Sequence, residues 1–147
     1  MVTTVVMHMK QISTRFSMAV HALSLIAMMP NECTGDFIAA SVNTNPVVIR
    51  RIMGMLKMAG LVDVYAGVGG AYLLKKPEDI SLLDVYRAVS AAEADRLFGI
   101  HENSNIKCSV GRSIETVLQI EFRTAQAAME KHLSGVTLGQ LVCRFQE

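Results

Sequence analysis

The stretch TGDFIAASVNTNPVVIRRIMGMLKMAGLVDVYAGVGGAYLLKKP, Thr34 to Pro77, decides the fold of this chain. Its second segment has clear ends: Asn45 can cap a helix, Pro46 suits the first helical position and Gly60 follows the last turn. The pattern predicts a helix over Pro46 to Ala59 in which Ile49, Ile52, Met53 and Leu56 form an apolar stripe. Val47, Arg50, Arg51, Gly54 and Lys57 are left for solvent. Upstream, Thr34 can cap a shorter helix carrying Phe37, Ile38 and Val42, and only Asn43 and Thr44 separate it from the next cap. Two helices joined so tightly must cross sharply, as in a helix-turn-helix.

Beyond Gly60 the period changes. Leu61, Val62, Val64 and Tyr65 suit a strand, Gly67 to Gly70 a turn, and Ala71 to Leu74 a returning strand. A hairpin placed directly after a helix-turn-helix is a wing. The glycines do not have the G-x-G-x-x-G spacing, and no Lys-Ser or Lys-Thr pair follows, so a nucleotide loop does not fit. The fold class expected is mainly α with a small β-hairpin wing: a winged helix-turn-helix domain with a long C-terminal dimerisation helix.

Around this unit, Ser13 or Thr14 should open a helix to about Met28 with Phe16, Val20, Leu23 and Ala27 on one face. Ser81 and Asp84 have the form of a capping box for a further helix. Ala91 to Lys107 is irregular. Ser109 to Leu133 then reads as the longest helix, with Ile114, Val117, Leu118, Glu121, Phe122, Ala125, Met129 and His132 at helical spacing. A stripe that long has too little partner within one chain. Together with an apolar content of 51%, it predicts a twofold homodimer through Ile114, Val117, Leu118, Phe122, Ala125 and Met129. Thr137 to Val142 reads as a short closing helix. These expectations divide the chain into residues 9–90, the DNA-binding domain, and residues 91–147, an effector-sensing segment with the dimerisation helix.

Net charge is only +1, but it is unevenly spread. Lys10 to Lys76 holds seven Lys/Arg against three acids, and Pro77 onward seven against ten. The cationic half is the half with the helix-turn-helix, which favours double-stranded DNA as partner. The N-terminal part of the second helix of such a unit meets base edges. The DNA face expected here comprises Thr44, Asn45, Val47, Arg50, Arg51 and Lys57. Arg50 suits guanine, Asn45 a cap that also touches phosphate, and Lys57 a phosphate. Tyr65 and the amides of Gly69 and Gly70 are candidates for phosphate contact, although packing and turn geometry account for them equally. No apolar run is long enough to cross a bilayer and no signal-peptide pattern opens the chain, so a cytoplasmic location is expected.

The three cysteines, Cys33, Cys108 and Cys143, are odd in number and far apart, which fits reduced thiols. Cys108 lies beside Lys107 at a helix start, and both features favour a thiolate. It is the candidate redox or electrophile site, against the competing reading of a small residue packed at a helix start; Cys33 and Cys143 are expected to be structural. His101, Glu102 and Cys108 lack zinc-type spacing, and neither His8, His21 nor His132 pairs with a nucleophile, so neither a metal site nor an enzyme is expected.

Ser13-Thr14-Arg15-Phe16 with Ala19, the helix around Ile38-Ala39, the Gly60-Leu61-Val62 step, Gly69 to Leu74 and Val136 to Leu141 together resemble the BadM/Rrf2 family of bacterial regulators, the group of IscR, NsrR and CymR. The likeness runs from Met9 almost to the end. Asn43 to Arg50 and Leu97 to Glu102 are most similar to the YwnA-like branch, without iron-sulfur ligands. The resemblance implies a dimeric winged-helix DNA-binding regulator, usually a repressor. Where many members carry an arginine and a proline flanking the first wing glycine, this chain has Ala66 and Val68, which removes minor-groove arginine readout. Cluster-binding members have three close cysteines before the long helix; here Cys108 alone remains, with Glu102 and Arg96 six and twelve residues earlier and Gly111 where one branch has histidine. No iron-sulfur cofactor is therefore expected. Met1 to His8 do not match the family's start and read as an alternative start or an expression remnant. A different class of function stays open: a winged domain that docks on a metabolic enzyme instead of DNA.

Overall fold

The computed structural model of the chain describes residues 11–67, 69–90 and 98–145, with side chains from residue 14 onward. Residues 1–8, expected to be an alternative start or an expression remnant, the first part of the irregular stretch at 91–97, and Val68 lie outside the described residues. The fold is mainly helical with one two-stranded antiparallel hairpin. In chain order come α1 (Gln11–Met28), α2 (Gly35–Val42), α3 (Pro46–Met58), β1 (Val62–Val64), β2 (Ala71–Leu73), a 3-10 turn (Pro77–Asp79), α4 (Leu82–Ser90), α5 (Ser109–Ser134) and α6 (Leu138–Arg144).

Local chemistry explains most element ends. Thr34 caps α2 by accepting from the Phe37 N–H at 3.2 Å. Ser81 and Asp84 close a reciprocal capping box over α4 at 3.0 Å each way. Thr137 and Gln140 do the same for α6. The C-terminus of α3 is a Schellman motif: Gly60, at φ +76°, donates to the Lys57 carbonyl and Leu61 to that of Leu56. That left-handed residue turns the chain straight from the helix into β1, where Val62 pairs with Leu73 and Val64 with Ala71.

The core is built around α1. Expected to start at Ser13 or Thr14, this helix already runs at Gln11. Its buried residues are Ala19, Ala22, Leu23, Ser24 and Ile26, whereas Phe16, Val20 and Ala27 are only half-buried. Thr14, Ser17 and His21 form an exposed polar line, and the buried apolar residues lie opposite it, to one side of the stripe expected from Phe16, Val20 and Ala27. Two alanines at the centre let neighbouring helices come close. Ile49, Ile52 and Leu56 of α3, Val85 and Val89 of α4 and Leu138 of α6 complete the same cluster. Met53 is half-buried beside it. Phe16 meets Tyr86 edge to face at 5.7 Å, and the Arg15 guanidinium donates to the Val89 carbonyl at 3.2 Å, at the negative end of α4.

The chain end returns to this core. The Leu138 N–H donates to Ile80 and the Leu82 N–H to Val136, both at 2.8 Å, so residues 80–82 and 136–138 are stitched like a two-residue sheet. Cys33 is buried, as expected, with its thiol donating to the Met29 carbonyl. Cys143 is not a core residue: α6 turns Leu138 and Val142 inward and leaves Cys143 exposed.

Because Gly60 is left-handed and its Schellman bonds aim β1, Gly60→Ala should cost about 1–2 kcal/mol. The check is the urea midpoint, which should fall with an unchanged slope.

Candidate nucleic-acid interface

The turn between α2 and α3 is set by three consecutive residues. Asn43 is left-handed, at φ 62°, a conformation asparagine tolerates, and its N–H returns to the Ala39 carbonyl. Thr44 is half-buried and donates to the same carbonyl at 3.0 Å. Asn45 caps α3, its Oδ1 accepting from the Val47 N–H at 2.9 Å. With Ile49, Ile52 and Leu56 buried, helical geometry fixes what faces away. Positions 47, 51, 54 and 58 form the outermost row; Arg50 and Lys57 lie on one shoulder and Val48 on the other. All of these are exposed, Val47 by 49% and Met58 by 90%.

Gly54 sits in that row, inside the helix, where glycine costs ~1 kcal/mol relative to alanine. A methyl group built on it would meet nothing within 4 Å.

The cations of the basic half do not all point the same way. Lys10 is outside the described residues, and Arg15 is engaged at the end of α4. Arg50 and Arg51 have neither an ion pair nor a hydrogen bond among the described residues. Lys57 pairs with Asp63 at 3.3 Å. The Val64 N–H and then this lysine hold the Asp63 carboxyl below the usual carboxylate range. Arg50 also borders a cleft of about 290 Å³ between α2, α3 and the hairpin, which Asp36 lines as well.

In the wing, Tyr65 is half-exposed against the Tyr72 ring at 4.5 Å, and its N–H donates to Gly70 at 2.8 Å. Gly69 is exposed at φ +77° in the turn. Gly70, a phosphate candidate in the sequence, is buried and bridged to Thr34, while Ala71 donates to Cys33. Its role is to anchor the wing on the helix-turn-helix. Ala66 is exposed near the tip, so no cation stands at that position.

A second region lies at the start of α5. Cys108 is its exposed N-cap. The neutral thiol closes no cap hydrogen bond, but the N–H groups of Gly111 and Val110 favour the thiolate and hold the pKa below the ordinary thiol value. Gly111 is packed hard against the preceding turn: a Cβ there would collide with the Asn105 carbonyl oxygen. No side chain fits at that position while the 105–108 turn is closed.

Along its 26 residues α5 has no buried side chain. Ile114, Leu118, Phe122 and Met129 are half-buried, and Val117 and Ala125 exposed. Phe122 is partly occupied within its own chain, stacked on Phe98 at 4.7 Å. Beside these two rings opens a cleft of about 270 Å³ bordered by Glu102, Glu115 and Arg123. Val110 and Ile120, exposed by 65% and 59%, extend the apolar surface and were missed in the sequence. The signal was Ile120 three residues beyond Val117, on the flank of the stripe chosen. Among the described residues no group of three His, Cys, Asp or Glu side chains is placed to hold a metal ion, and no helix is long and apolar enough to cross a membrane.

This arrangement matches known proteins over nearly its whole length. The Rrf2 family profile, described as iron-dependent transcriptional regulator, matches residues 12–144. A Bacillus subtilis (strain 168) protein with the provisional name HTH-type transcriptional regulator YwnA is 49% identical over 127 residues, 86% of this chain and 93% of that protein. A crystal structure of a protein provisionally described as DNA-binding superposes with a TM-score of 0.71 at 42% identity, covering 86% of this chain and 97% of that one. CymR, the global cysteine regulator of B. subtilis, shares the fold at 21% identity, with a TM-score of 0.64 over 90% of this chain and 96% of its own. The exposed cationic helix, its hairpin and this likeness agree: the chain belongs to the Rrf2 family of winged-helix, DNA-binding transcription regulators, and is not an enzyme.

Proposed function

We propose that the protein acts as a homodimeric repressor on a twofold-symmetric operator, in the cytoplasm where the chromosome lies. The observation that carries this is the outer face of α3, where Arg50 and Arg51 stand exposed beside Val47 at the N-terminal end of a second helix-turn-helix helix. Arginine there can pair bidentately with guanine, and Lys57 further along suits phosphate. A 26-residue helix without a buried side chain supports the dimer. Its partly covered row from Ile114 to Met129 and its bare flank at Val117 and Ile120 call for a second copy.

The input is assigned to the region of Cys108, without an iron-sulfur cluster. Such a centre needs three or four suitable ligands. In this chain Cys33 is buried in the core, Cys143 lies on α6, and the closed turn at Asn105 leaves no room for a ligand side chain at 111. The chemistry that remains at this helix start is that of an exposed thiol, Cys108, whose thiolate form is favoured by the N–H groups of Gly111 and Val110. With peroxide as oxidant, the thiolate sulfur attacks one oxygen, the S–O bond forms as the O–O bond breaks, a sulfenic acid is left on the protein, and the departing hydroxide takes up a proton to become water. A bulkier, altered N-cap then stands at the start of the helix that spaces the two readers.

Selection from a random duplex pool with reduced protein should enrich a palindrome whose half-sites are about one helical turn apart. Arg50→Ala and Arg51→Ala should each weaken that site roughly tenfold or more, and Lys57→Ala should flatten the salt dependence. A reporter under the enriched site should be silenced. Sedimentation should give a dimer at micromolar concentration, and no enriched site would move the protein to a docking role on another protein.

Iodoacetamide should alkylate Cys108 at a pH where an ordinary exposed thiol is already protonated, because its lowered pKa keeps thiolate present further down the scale. Cys33, whose thiol is pushed up by burial and then by Glu32, should stay unreactive until the chain unfolds. Peroxide should release the operator from the native protein and not from Cys108→Ser. Equal release from both would remove Cys108 from the input.

A further inference from the structure

We propose that Gly54 is the point of closest approach between this protein and duplex DNA, a notch in the outer row of α3 that lets the helix seat deep in the major groove. The proposal rests on the DNA-binding reading and goes beyond it by naming the residue that sets the depth of docking.

The first support is that nothing inside the protein requires glycine at 54. Its backbone is helical, with none of the positive φ that explains Gly60, and the space that a methyl group would fill is empty. Gly111 and Gly139 differ: a Cβ at either would press on a neighbouring backbone, that of Asn105 or Glu78. Glycine inside a helix is unfavourable relative to alanine, because it adds freedom to the unfolded chain and buries nothing. A helix-interior glycine with neither a conformational nor a packing reason points to a body outside the chain.

The second support is position. Gly54 lies in the row 47, 51, 54, 58, opposite the buried Ile49, Ile52 and Leu56, with Arg51 one turn before it. Arg50 and Lys57 stand on the adjoining shoulder. What comes close to this row is therefore polyanionic and must fit between cations, which describes a groove wall of duplex DNA. A side chain at 54 would act as a spacer. It would lift the helix and lengthen the reach of Arg51, whose pairing with a base edge depends on short, well-aligned hydrogen bonds.

The test uses the full-length protein with Gly54→Ala and Gly54→Leu, both good helix formers. Each should melt higher than the native chain, by about 2 °C or more, so that unfolding cannot account for lost binding. Operator affinity, read by fluorescence anisotropy at fixed salt on the selected duplex, should fall on the order of tenfold for alanine and further for leucine. If both variants bind the operator within about twofold of the native protein, the closest approach is elsewhere and the inference fails while DNA binding stands. If the native protein enriches no site, the DNA reading fails and takes this inference with it.

Discussion

Burial of the inner row of α3 governs what the molecule can present. Ile49, Ile52 and Leu56 are almost wholly enclosed by the cluster built on α1, and each such side chain contributes about 1.5–3 kcal/mol on leaving water. A helix is a rigid body with one rotation about its axis, so fixing three residues inward fixes Val47, Arg51, Gly54 and Met58 outward. The magnitudes decide the order of importance. Several kcal/mol hold the inner row, against ~1 kcal/mol for the glycine on the outer one. The outer face can therefore carry residues that are poor for stability without endangering the position of the helix. Gly60 and the Schellman bonds then carry the same orientation into the hairpin, and the Thr34 to Gly70 bridge fixes the wing to the start of α2.

The opposite condition holds at α5. It has no buried residue and touches the rest of the chain chiefly at α4, yet its two ends are well defined. Gly111 pins the turn before it, and the chain after it is stitched back to residues 80–82 before Leu138 enters the core. A displacement of α5 would meet α4 first. That helix packs on both α1 and α3. This is a contiguous mechanical route from Cys108 to the outer row, though contiguity supplies only the means of coupling and not its size.

What was legible in the sequence was whatever local chemistry writes. The caps at Thr34, Asn45 and Ser81, the first-turn proline and the C-terminal glycine of α3 gave helix ends within a residue or two, because each satisfies backbone groups beside it in the chain. The inner row of α3 was also plain, since polar residues alternate with it at helical spacing. In α1 the expected stripe followed the large residues Phe16 and Val20, although the polar line of Thr14, Ser17 and His21 marks the face opposite Ala19 and Ala22; which side chains fill the centre was decided by neighbours distant in sequence. The same cause hid the burial of Gly70, the exposure of Cys143 and the Phe98 to Phe122 stack: each depends on where another element lands. In the site, the arginines were readable from spacing, whereas the engagement of Arg15 with α4 and of Lys57 with Asp63 was not.

Those two engagements change the meaning of the charge. Seven cations in the first half suggested a broadly basic surface, but only Arg50 and Arg51 stand free on the recognition helix among the described residues, with Lys57 partly neutralised by its partner. Affinity that comes from displacing counterions grows with the number of phosphates neutralised, and it is blind to sequence. Two or three cations on each recognition helix, with Lys75 and Lys76 exposed just beyond β2, on a chain with net charge +1 and an acidic second half, give only part of the affinity by that blind attraction. Binding must then draw its strength from fit: guanidinium groups at the right depth, an apolar Val47 beside them, and a helix close enough to the groove for both to reach. A weakly charged reader gains more from depth than a strongly charged one. That is the setting in which a glycine on the outer row of α3 carries functional weight out of proportion to its size.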